Sequence, residues 1–342
     1  MSTPDLPWLA SIGRQTLAIE PTPLQKMERL SAEIGGPGIW IKRDDCTGLA
    51  TGGNKTRKLE YLLADALTRG ADTIITYGAV QSNHARQTAA ACAQLGLNCH
   101  LLLSRRVNWP HPSYLNQGNV LLDRLFGAQF HVCDLDQVDG TRDALLEQLK
   151  QEGRSAYEIP AGGSNPIGAL GYVRCMAELA RQADALGVQL GQIVHASASA
   201  GTQSGLVFGA NALGLETHIM GVNVFHPSPE TLRNRVQHII RGLCERHPQA
   251  GVNAEVPIDI NHAYLGEAYG IPSAEGLAAI HLAARMEGIL LDPVYSGKAF
   301  AALIDQVNLG NFNEHSAIVF IHTGGHASLG AYADAFADPE PA

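Results

Sequence analysis

The stretch Thr51-Gly52-Gly53-Asn54-Lys55 is a glycine-rich turn that places a lysine at the start of a predicted helix. The helix is predicted because leucines recur on one face of it, at Leu59, Leu62, Leu63 and Leu67. A helix start presents unpaired N–H groups and lowers the pKa of a nearby lysine. A partly neutral lysine can attack an aldehyde, so Lys55 is a candidate to hold a cofactor as a Schiff base. A solvated lysine in the first turn is the alternative.

The composition is that of an ordinary soluble enzyme. Hydrophobic residues make up 45% and charged residues 17% of the 342 residues, enough for two domains with a sizeable core. No apolar run is as long as a membrane span. The net charge of −9 disfavours nucleic acid and anionic membranes as partners, because binding to phosphate backbones needs a basic face. A small anionic ligand can still bind in a locally positive pocket.

Two further features concern location and metal chemistry. Residues 1–13 lack the basic and apolar regions of a signal peptide, so we expect a cytoplasmic protein. The six cysteines are scattered, with no C-x-x-C pair and no metal-type spacing to histidine. We therefore expect reduced thiols and no metal site.

Strand and helix patterns alternate along the chain. The ordered part is predicted to begin at Thr22-Pro23-Leu24, and a short strand within 38–45 leads into the lysine turn. Further strands are predicted at 72–77, 98–103, 130–133, 155–159, 192–195, 217–224 and 316–322. Helices are predicted at 83–95, 116–126, 141–151, 170–185, 202–213, 230–245, 274–287 and 297–307. This alternation indicates parallel sheets wrapped by helices, and the Gly/Pro cluster at 160–166 is the candidate hinge.

The strand at 72–77 ends in Gly78-Ala79-Val80-Gln81-Ser82-Asn83-His84, at the edge where open α/β sheets bind ligands. Backbone N–H groups of this turn can hold a substrate carboxylate, while Ser82 places a hydroxyl near the reacting carbon. The alternative is that Ser82 or Asn83 only caps the next helix. We predict substrate binding by Gln81, Ser82, Asn83 and His84.

A second turn, Ala196-Ser197-Ala198-Ser199-Ala200-Gly201-Thr202-Gln203-Ser204-Gly205, also joins a strand to a helix. Small residues let the backbone wrap closely around a group, and the hydroxyls add donors, which is typical of a phosphate site. The pattern is neither a Walker A motif nor a dinucleotide fingerprint. A tight packing turn is the alternative.

Together these stretches resemble the pyridoxal-phosphate family that contains 1-aminocyclopropane-1-carboxylate deaminase, D-cysteine desulfhydrase and L-cysteate sulfo-lyase. The resemblance covers nearly the whole chain, from Thr22-Pro23-Leu24 and Ile41-Lys42-Arg43-Asp44-Asp45, through the two glycine-rich and serine-rich turns, to Tyr269-Gly270-Ile271-Pro272, Asp292-Pro293-Val294-Tyr295 and His322-Thr323-Gly324-Gly325. It implies fold type II, similar to the tryptophan synthase β subunit: two α/β domains with twisted, mostly parallel sheets and the cofactor between them. We expect a large domain at 1–59 plus 166–342, a small domain at 60–165, and a homodimer.

The resemblance also implies roles for individual residues. Lys55 would hold pyridoxal phosphate as a Schiff base, with Asn54 beside it and Asn83 bonded to the ring hydroxyl. The phosphate would lie against Ala198, Ser199, Ala200, Gly201 and Thr202. Ser82, Tyr269 and Tyr295 would face the small amino-acid substrate as acid/base or positioning groups, and Lys55 would also take the Cα proton. The division of proton transfers among these groups is left open.

Two positions near the pyridine nitrogen distinguish reactions within the family. Family members that open the cyclopropane ring resemble one another in having glutamate where this chain has Ser296, and leucine where it has Thr323. A carboxylate keeps the ring nitrogen protonated and makes the cofactor a strong electron sink, whereas a hydroxyl donates to an unprotonated nitrogen. Ser296 and Thr323 therefore favour β-elimination over ring opening.

The first functional hypothesis is a C–S lyase that releases pyruvate, ammonia and either sulfite from L-cysteate or sulfide from D-cysteine. The stretch 44–58 is slightly closer to the cysteate type, so L-cysteate is the preferred expectation. A sulfonate needs extra donors, for which Arg105, Arg106, His226 and His326 are candidates. Deamination of a cyclic amino acid is disfavoured by Ser296 and Thr323. A non-catalytic binder of an amino acid or of pyridoxal phosphate would not need the hydroxyls of Ser82, Tyr269 and Tyr295.

Overall fold

The computed structural model describes residues 5–312 and 316–337, which form two sheets covered by helices. The strands are β1 Leu24–Lys26, β2 Ile39–Lys42, β3 Thr73–Ala79, β4 Asn98–Ser104, β5 Gln129–Cys133, β6 Ala156–Ile159, β7 Leu190–Ser197, β8 His218–Asn223, β9 Asp259–Asn261 and β10 Ala317–Ile321. The helices are α1 Pro7–Ala10, α2 Glu28–Ile34, α3 Lys55–Thr68, α4 Asn83–Leu95, α5 Ser113–Asn116, α6 Asn119–Leu125, α7 Val138–Gln151, α8 Pro166–Leu186, α9 Gly201–Ala212, α10 Pro229–Arg246, α11 Ala274–Glu287 and α12 Ser296–Asn308. Within these ranges, no helix is long and apolar enough to cross a membrane.

The four-stranded sheet is parallel throughout, in the order β5-β4-β3-β6. Successive side chains of a strand point to opposite faces, so a strand buried on both sides needs apolar residues at every position. Ile74 of β3 packs on α3 and α4, and its neighbour Ile75 packs on α7. The apolar run of β3 is therefore explained by helices on both faces.

The six-stranded sheet has the order β1-β2-β10-β7-β8-β9, with β1 antiparallel to β2 and the other pairs parallel. Its central strand β10 is buried along its whole length. Val319 and Ile321 face the core under α8, α9 and α10. Ile318 and Phe320 face the core under α2, α11 and α12.

The predicted alternation of strands and helices is confirmed, and α4 and α11 have the predicted bounds. The single helix predicted at 116–126 is wrong, because the extended Gln117 and the positive φ of Gly118 separate α5 from α6. Order also begins before residue 22, since α1 buries Leu9 in the core of the larger sheet. The four-stranded sheet uses residues 73–159 and the six-stranded sheet the segments on either side. The domain boundaries stay a prediction.

Candidate active site

The carboxyl ends of β3, β4, β7 and β8 face a cavity of about 340 Å³ that lies between the two sheets. Parallel α/β sheets bind ligands at this edge because loops and helix starts converge there. Most of the predicted site residues line it: Asn54, Lys55, Ser82, Asn83, His84, Ala198, Ser199, Ala200, Thr202, Tyr269, Tyr295 and Thr323. Three predicted residues do not line it, namely Gln81, Gly201 and Ser296.

The loop before Lys55 has an unusual backbone. Ala50, Thr51 and Gly52 have φ values of 48°, 67° and 75°, a left-handed run that L residues adopt at a cost. A Cβ on Gly52 would lie 1.8 Å from the carbonyl oxygen of Asp45, so only glycine fits there. The loop is closed by the Thr47 hydroxyl, which accepts from the N–H of Gly53 at 2.8 Å. This geometry directs Lys55 into the cavity.

The amine of Lys55 donates to Oδ1 of Asn54 at 2.8 Å. Asn54 is held in turn by the hydroxyl of Thr202, at 3.0 Å, and by the carbonyl of Thr323, at 3.1 Å from its backbone nitrogen. The pKa of Lys55 is lowered to about 8, mostly by burial and also by the charge of Arg86, while Asp292 opposes the shift. The lowered pKa was predicted from the helix start, but burial is the largest cause. A substantial neutral fraction near pH 8 makes this amine a nucleophile and a base.

Arg86 contributes to this site without lining the cavity. Its guanidinium donates to the carbonyl of Ala50, to the hydroxyl of Thr51 and, at 3.0 Å, to the carbonyl of Gly52. These bonds hold the left-handed loop. The sequence shows only that Arg86 lies one turn after Asn83 in α4. That position does not predict its contact with the loop at 50–52.

Ser82 caps α4, because its hydroxyl accepts from the N–H of Ala85 at 3.1 Å. The capping alternative is therefore confirmed, and it is compatible with a site role since the hydroxyl proton stays available to the cavity. Asn119 orients the next residue. Its amide nitrogen donates to the carbonyl of Gln81 at 3.3 Å and to Oδ1 of Asn83 at 3.0 Å. The backbone carbonyl fixes the orientation of Asn119, so Asn83 presents its NH₂ group to the cavity.

His84 is neutral and of defined tautomer. The hydroxyl of Thr76 donates to the carbonyl of Ile159 at 2.8 Å, so Nε2 of His84, 2.8 Å from that hydroxyl, carries the proton. Nδ1 is then an acceptor, buried and without a hydrogen-bond partner among the described residues. Burial, with Lys55 and Lys58 nearby, holds the pKa of His84 well below its usual range.

The side chain of Gln81 does not reach the cavity, contrary to the predicted contact with substrate. Its amide donates to the carbonyls of Tyr114 and Gln117, at 2.7 and 2.8 Å, and accepts from the N–H of Asn119 at 2.9 Å. All of these partners lie on α5, α6 and their junction. Gln81 therefore anchors that junction behind the turn.

The second turn lines the cavity where α9 begins. Ala200 has a φ of 76° and leads into α9, whose first N–H groups point back toward the turn. The hydroxyls of Ser199 and Thr202 lie beside them on the cavity wall. Gly201 sits behind the wall, where a Cβ would come within 2.6 Å of the Ser164 hydroxyl. A lysine amine at one end and an anion cradle at the other fit an aldehyde that carries a phosphate, which is the chemistry of pyridoxal phosphate.

Tyr269 and Tyr295 form a hydroxyl pair with 2.5 Å between their oxygens. Burial raises the pKa of each phenol, so both are protonated at neutral pH. One proton joins the two oxygens and the other remains free to donate into the cavity. The loop that carries Tyr269 is fixed by Lys298, which donates to the carbonyls of Leu265 and Ala268 at 2.6 and 3.2 Å.

Of the two residues predicted near a ring nitrogen, only Thr323 lines the cavity. The hydroxyl of Ser296 donates to Oδ1 of Asp292 at 2.6 Å and accepts from the backbone nitrogen of Asp292 at 2.8 Å. The prediction that Ser296 donates a hydrogen bond to a cofactor differs from this geometry. The hydroxyl of Ser296 donates to the buried carboxylate of Asp292 instead.

Two arginines and a histidine also lie on the cavity wall. The guanidinium of Arg106 stacks 5.5 Å from the ring centre of Phe225, and its Nε donates to the Ser104 hydroxyl at 3.0 Å. Arg106, His226 and Arg235 all line the cavity. Arg105 is instead exposed and paired with Asp134, and His326 does not line the cavity. Two of the four predicted sulfonate donors thus lie on the wall, but His226 donates from Nε2 to the carbonyl of Ala198 at 2.7 Å, which leaves Arg106 as the free donor.

The chain matches a protein-family model described as pyridoxal-phosphate dependent enzyme over residues 15–324. It is 46% identical to a D-cysteine desulfhydrase of Serratia proteamaculans and 47% identical to one of Yersinia enterocolitica; each alignment covers 95% of this chain and 97% of the relative. A solved structure described as an ACC deaminase homologue has a TM-score of 0.86 and 40% identity, covering 96% of both chains. Across residues 5–312 and 316–337, no group of three or more His, Cys, Asp or Glu is arranged to hold a metal ion.

Proposed function

The chain belongs to the family of pyridoxal-phosphate-dependent enzymes, and we propose that within it the chain is a carbon–sulfur lyase that acts on D-cysteine. The name shared by relatives at 46% and 47% identity supports this substrate. The sequence analysis preferred L-cysteate, and the relatives favour the alternative that it gave. In the reaction the Cα proton and the Cβ–S bond are lost, and addition of water yields pyruvate, ammonia and hydrogen sulfide.

The observation that carries the proposal is the arrangement of one amine and three hydroxyls around a single cavity. Lys55, Ser82, Tyr269 and Tyr295 lie on its wall, next to the turn that would bind a phosphate. Pyridoxal phosphate, when bound, withdraws electrons from Cα and so makes its proton removable. Lys55, Asn83, Thr323 and the turn at 198–202 are the residues that would hold it.

We assign the proton transfers from the state of each group. With a pKa of about 8, Nζ of Lys55 can accept the Cα proton and return it. The Ser82 hydroxyl and the N–H groups at the start of α4 would bind the substrate carboxylate. The protonated pair of Tyr269 and Tyr295 can donate to the departing sulfur, which leaves with the bonding electrons.

L-Cysteate is a second candidate, and the position of the guanidinium of Arg106 on the cavity wall favours it. A sulfonate is a fixed anion with three acceptor oxygens, so it is recognised best by guanidinium and imidazole donors. A thiol needs no such group. The guanidinium of Arg106 therefore supports an anionic side chain, whereas the names of the relatives support D-cysteine.

The test is turnover of D-cysteine, L-cysteine, L-cysteate and 1-aminocyclopropane-1-carboxylate by the holoenzyme. Pyruvate, sulfide, sulfite and 2-oxobutanoate are measured separately. We expect fastest pyruvate release from D-cysteine, with an equal amount of sulfide. Sulfite from L-cysteate at a higher rate would replace the first candidate by the second, and 2-oxobutanoate alone would contradict both.

The Lys55→Ala variant is the control for the assignment of the lysine. We expect it to lose the visible absorbance of bound cofactor and at least about 1,000-fold of the turnover, as removal of an essential base and nucleophile does. Retention of both absorbance and turnover would show that another lysine holds the cofactor. Lys58, one turn later in α3, is the first alternative to replace.

A further inference from the structure

Four buried polar atoms lie where α4 packs against α6, and none of them has a hydrogen-bond partner among the described residues. They are Nε of Arg86, Oδ1 of Asn119 and both carboxyl oxygens of Asp123. All three side chains are fully buried. A buried acceptor without a donor is costly, so acceptors collected in one place call for a shared donor.

Asn119 has no donor left for this place. Its two N–H groups are used, because Nδ2 donates to the carbonyl of Gln81 at 3.3 Å and to Oδ1 of Asn83 at 3.0 Å. Its Oδ1, on the other side of the amide, needs a donor from elsewhere. Asp123 lies four residues later in α6, and side chains at this spacing meet on one face of a helix. An ionised Asp123 would offer only further acceptors.

The surroundings of Asp123 keep a proton on its carboxyl group. Burial raises the pKa of Asp123 to about 8, although the charge of Arg86 on α4 opposes the shift. Hydrogen bonding to a neighbouring thiol, together with burial, holds the pKa of Cys99 on β4 well above its usual value, and burial raises the pKa of Tyr114 on α5, so both are neutral at pH 7. Arg124, the next residue on α6, is exposed. The proton of Asp123 is therefore the donor that Asn119 lacks.

We propose that Asp123 is a positioning residue of the active site, which in its protonated form donates to Oδ1 of Asn119 and thereby sets the orientation of Asn83. The hydrogen bonds then run in one direction. Asp123 donates to Asn119, Asn119 donates to Asn83, and Asn83 presents its NH₂ group to the cavity that it lines. The proposal does not depend on which amino acid is cleaved, so it stands or falls separately from the proposed substrate.

Loss of this proton reverses both amides. A carboxylate repels Oδ1 of Asn119 and attracts its NH₂ group, so the amide of Asn119 turns over. Asn83 then donates to Asn119 and turns its own Oδ1 toward the cavity. A hydrogen-bond donor is thus replaced by an acceptor at the place where Asn83 is expected to bond the ring hydroxyl of the cofactor. The change is centred near the pKa of Asp123, at about pH 8.

The test compares pyridoxal phosphate with 3-deoxypyridoxal phosphate, which lacks the ring hydroxyl. Apoprotein is titrated with each aldehyde between about pH 6 and about pH 9.5, and affinity is measured by calorimetry, which needs no turnover. The ratio of the two affinities is the quantity of interest, because ionisation of Lys55 affects both aldehydes. In the parent protein the ring hydroxyl should strengthen binding about 10-fold at pH 6, and the ratio should fall to about one above about pH 9.

Asp123→Asn is the matched control, because its amide can donate to Asn119 at every pH. The ratio should therefore stay at about 10 over the whole range. Asp123→Leu has a similar volume and no donor, so its ratio should be about one even at pH 6. The same pH dependence in the parent protein and in Asp123→Asn would overturn the proposal, and so would a ratio of one in the parent protein at pH 6. Equal weakening of both aldehydes in Asp123→Leu would show that Asp123 serves the fold alone.

Infrared spectroscopy covers the case in which Asp123→Leu does not fold, since it needs only the parent protein and Asp123→Asn. A protonated carboxyl group has a carbonyl stretching band that is distinct from the bands of carboxylates and amides. At pH 6 the parent protein should show such a band, which is lost above about pH 9 and is missing from Asp123→Asn at both pH values. Identical spectra of the two proteins in this region at pH 6 would mean that Asp123 is ionised there, and the proposal would be overturned.

Discussion

Two buried arginines, Arg57 in α3 and Arg86 in α4, show two different uses of the same side chain. Both are fully buried. Arg57 forms ion pairs with Asp44 at 2.8 Å, with Glu178 at 3.0 Å and with Glu20 at 2.8 Å. These carboxylates outweigh the cost of burial and hold the pKa of Arg57 well above its ordinary value.

Arg86 lacks this compensation. Its hydrogen bonds go to the carbonyls of Ala50 and Gly52 and to the hydroxyl of Thr51. Burial lowers the pKa of Arg86 to about 10, and only the nearby Asp123 opposes the shift. A paired charge contributes to the fold, whereas an unpaired charge changes the chemistry of its neighbours, here the pKa of Lys55.

The largest effect is expected for Arg57→Met, which leaves Asp44 and Glu178 buried without this cation. Breaking a buried pair costs about 3–5 kcal/mol of unfolding free energy, measured by urea denaturation of the apoprotein. Arg241→Met is the control, because Arg241 is exposed and pairs with the exposed Glu255 at 2.9 Å; it should cost less than about 1 kcal/mol. Equal losses of unfolding free energy in the two variants would show that the buried ion-pair cluster stabilises the fold no more than an exposed ion pair does.

A smaller effect, of opposite sign, is expected for Asp123→Asn. Burial raises the pKa of Asp123 to about 8, and neither carboxylate oxygen has a hydrogen-bond partner among the described residues. The folded protein then keeps a proton that the unfolded chain releases above about pH 4, so stability falls as the pH rises from about 4 to about 8. Asparagine does not ionise in either state and should add about 1–3 kcal/mol at pH 8 and little at pH 4.

Urea unfolding of both proteins at pH 4, 6 and 8 measures this difference. A variant that is less stable than the parent protein at pH 8 would mean that Asp123 is ionised. Arg86 would then be compensated as Arg57 is, and the contrast between the two arginines would disappear.

The smallest effect is expected for Arg86→Met, which removes one positive charge near Lys55. The pKa of Lys55 should rise from about 8 by roughly one unit, because Asp292, which raises it, would then be opposed only by burial. The rate at which apoprotein captures pyridoxal phosphate should show this shift in its pH midpoint. Arg86→Lys keeps the charge and should keep the pH midpoint. Capture of pyridoxal phosphate should be slower at every pH, because lysine cannot replace the several hydrogen bonds that the guanidinium donates to the loop at 50–52. An unshifted midpoint in Arg86→Met would exclude the electrostatic role.

The order of strands and helices could be predicted because each longer element has its own local pattern of apolar residues. Apolar runs such as those of β3 and β10 are buried on both faces, and α4 begins at a capping serine and ends at Gly96 in the left-handed conformation. The short strands β1 and β9 have three residues each, too few for a pattern. They are strands only because β2 and β8 offer them an edge.

The site could be predicted in part for a similar reason. Residues such as Lys55, Ser82 and Thr202 lie at the start of helices or at the carboxyl end of strands, which the alternation of elements already locates. The hydrogen bond from Ser296 to Asp292 and the contact of Arg86 with the loop at 50–52 depend on side-chain rotamers and on distant segments. No local pattern carries that information, so these features needed the structure.

The position of β10 between β2 and β7 also sets an order of events during synthesis. The four-stranded sheet needs nothing beyond residue 159, so it can form while the rest of the chain is still being made. The larger sheet cannot be completed until its strand β10, residues 317–321, has left the ribosome, and Thr323 comes after that strand. The cavity is therefore completed only after almost all of the sheet has been translated. We expect the chain to bind its cofactor after synthesis, when both sheets have already folded.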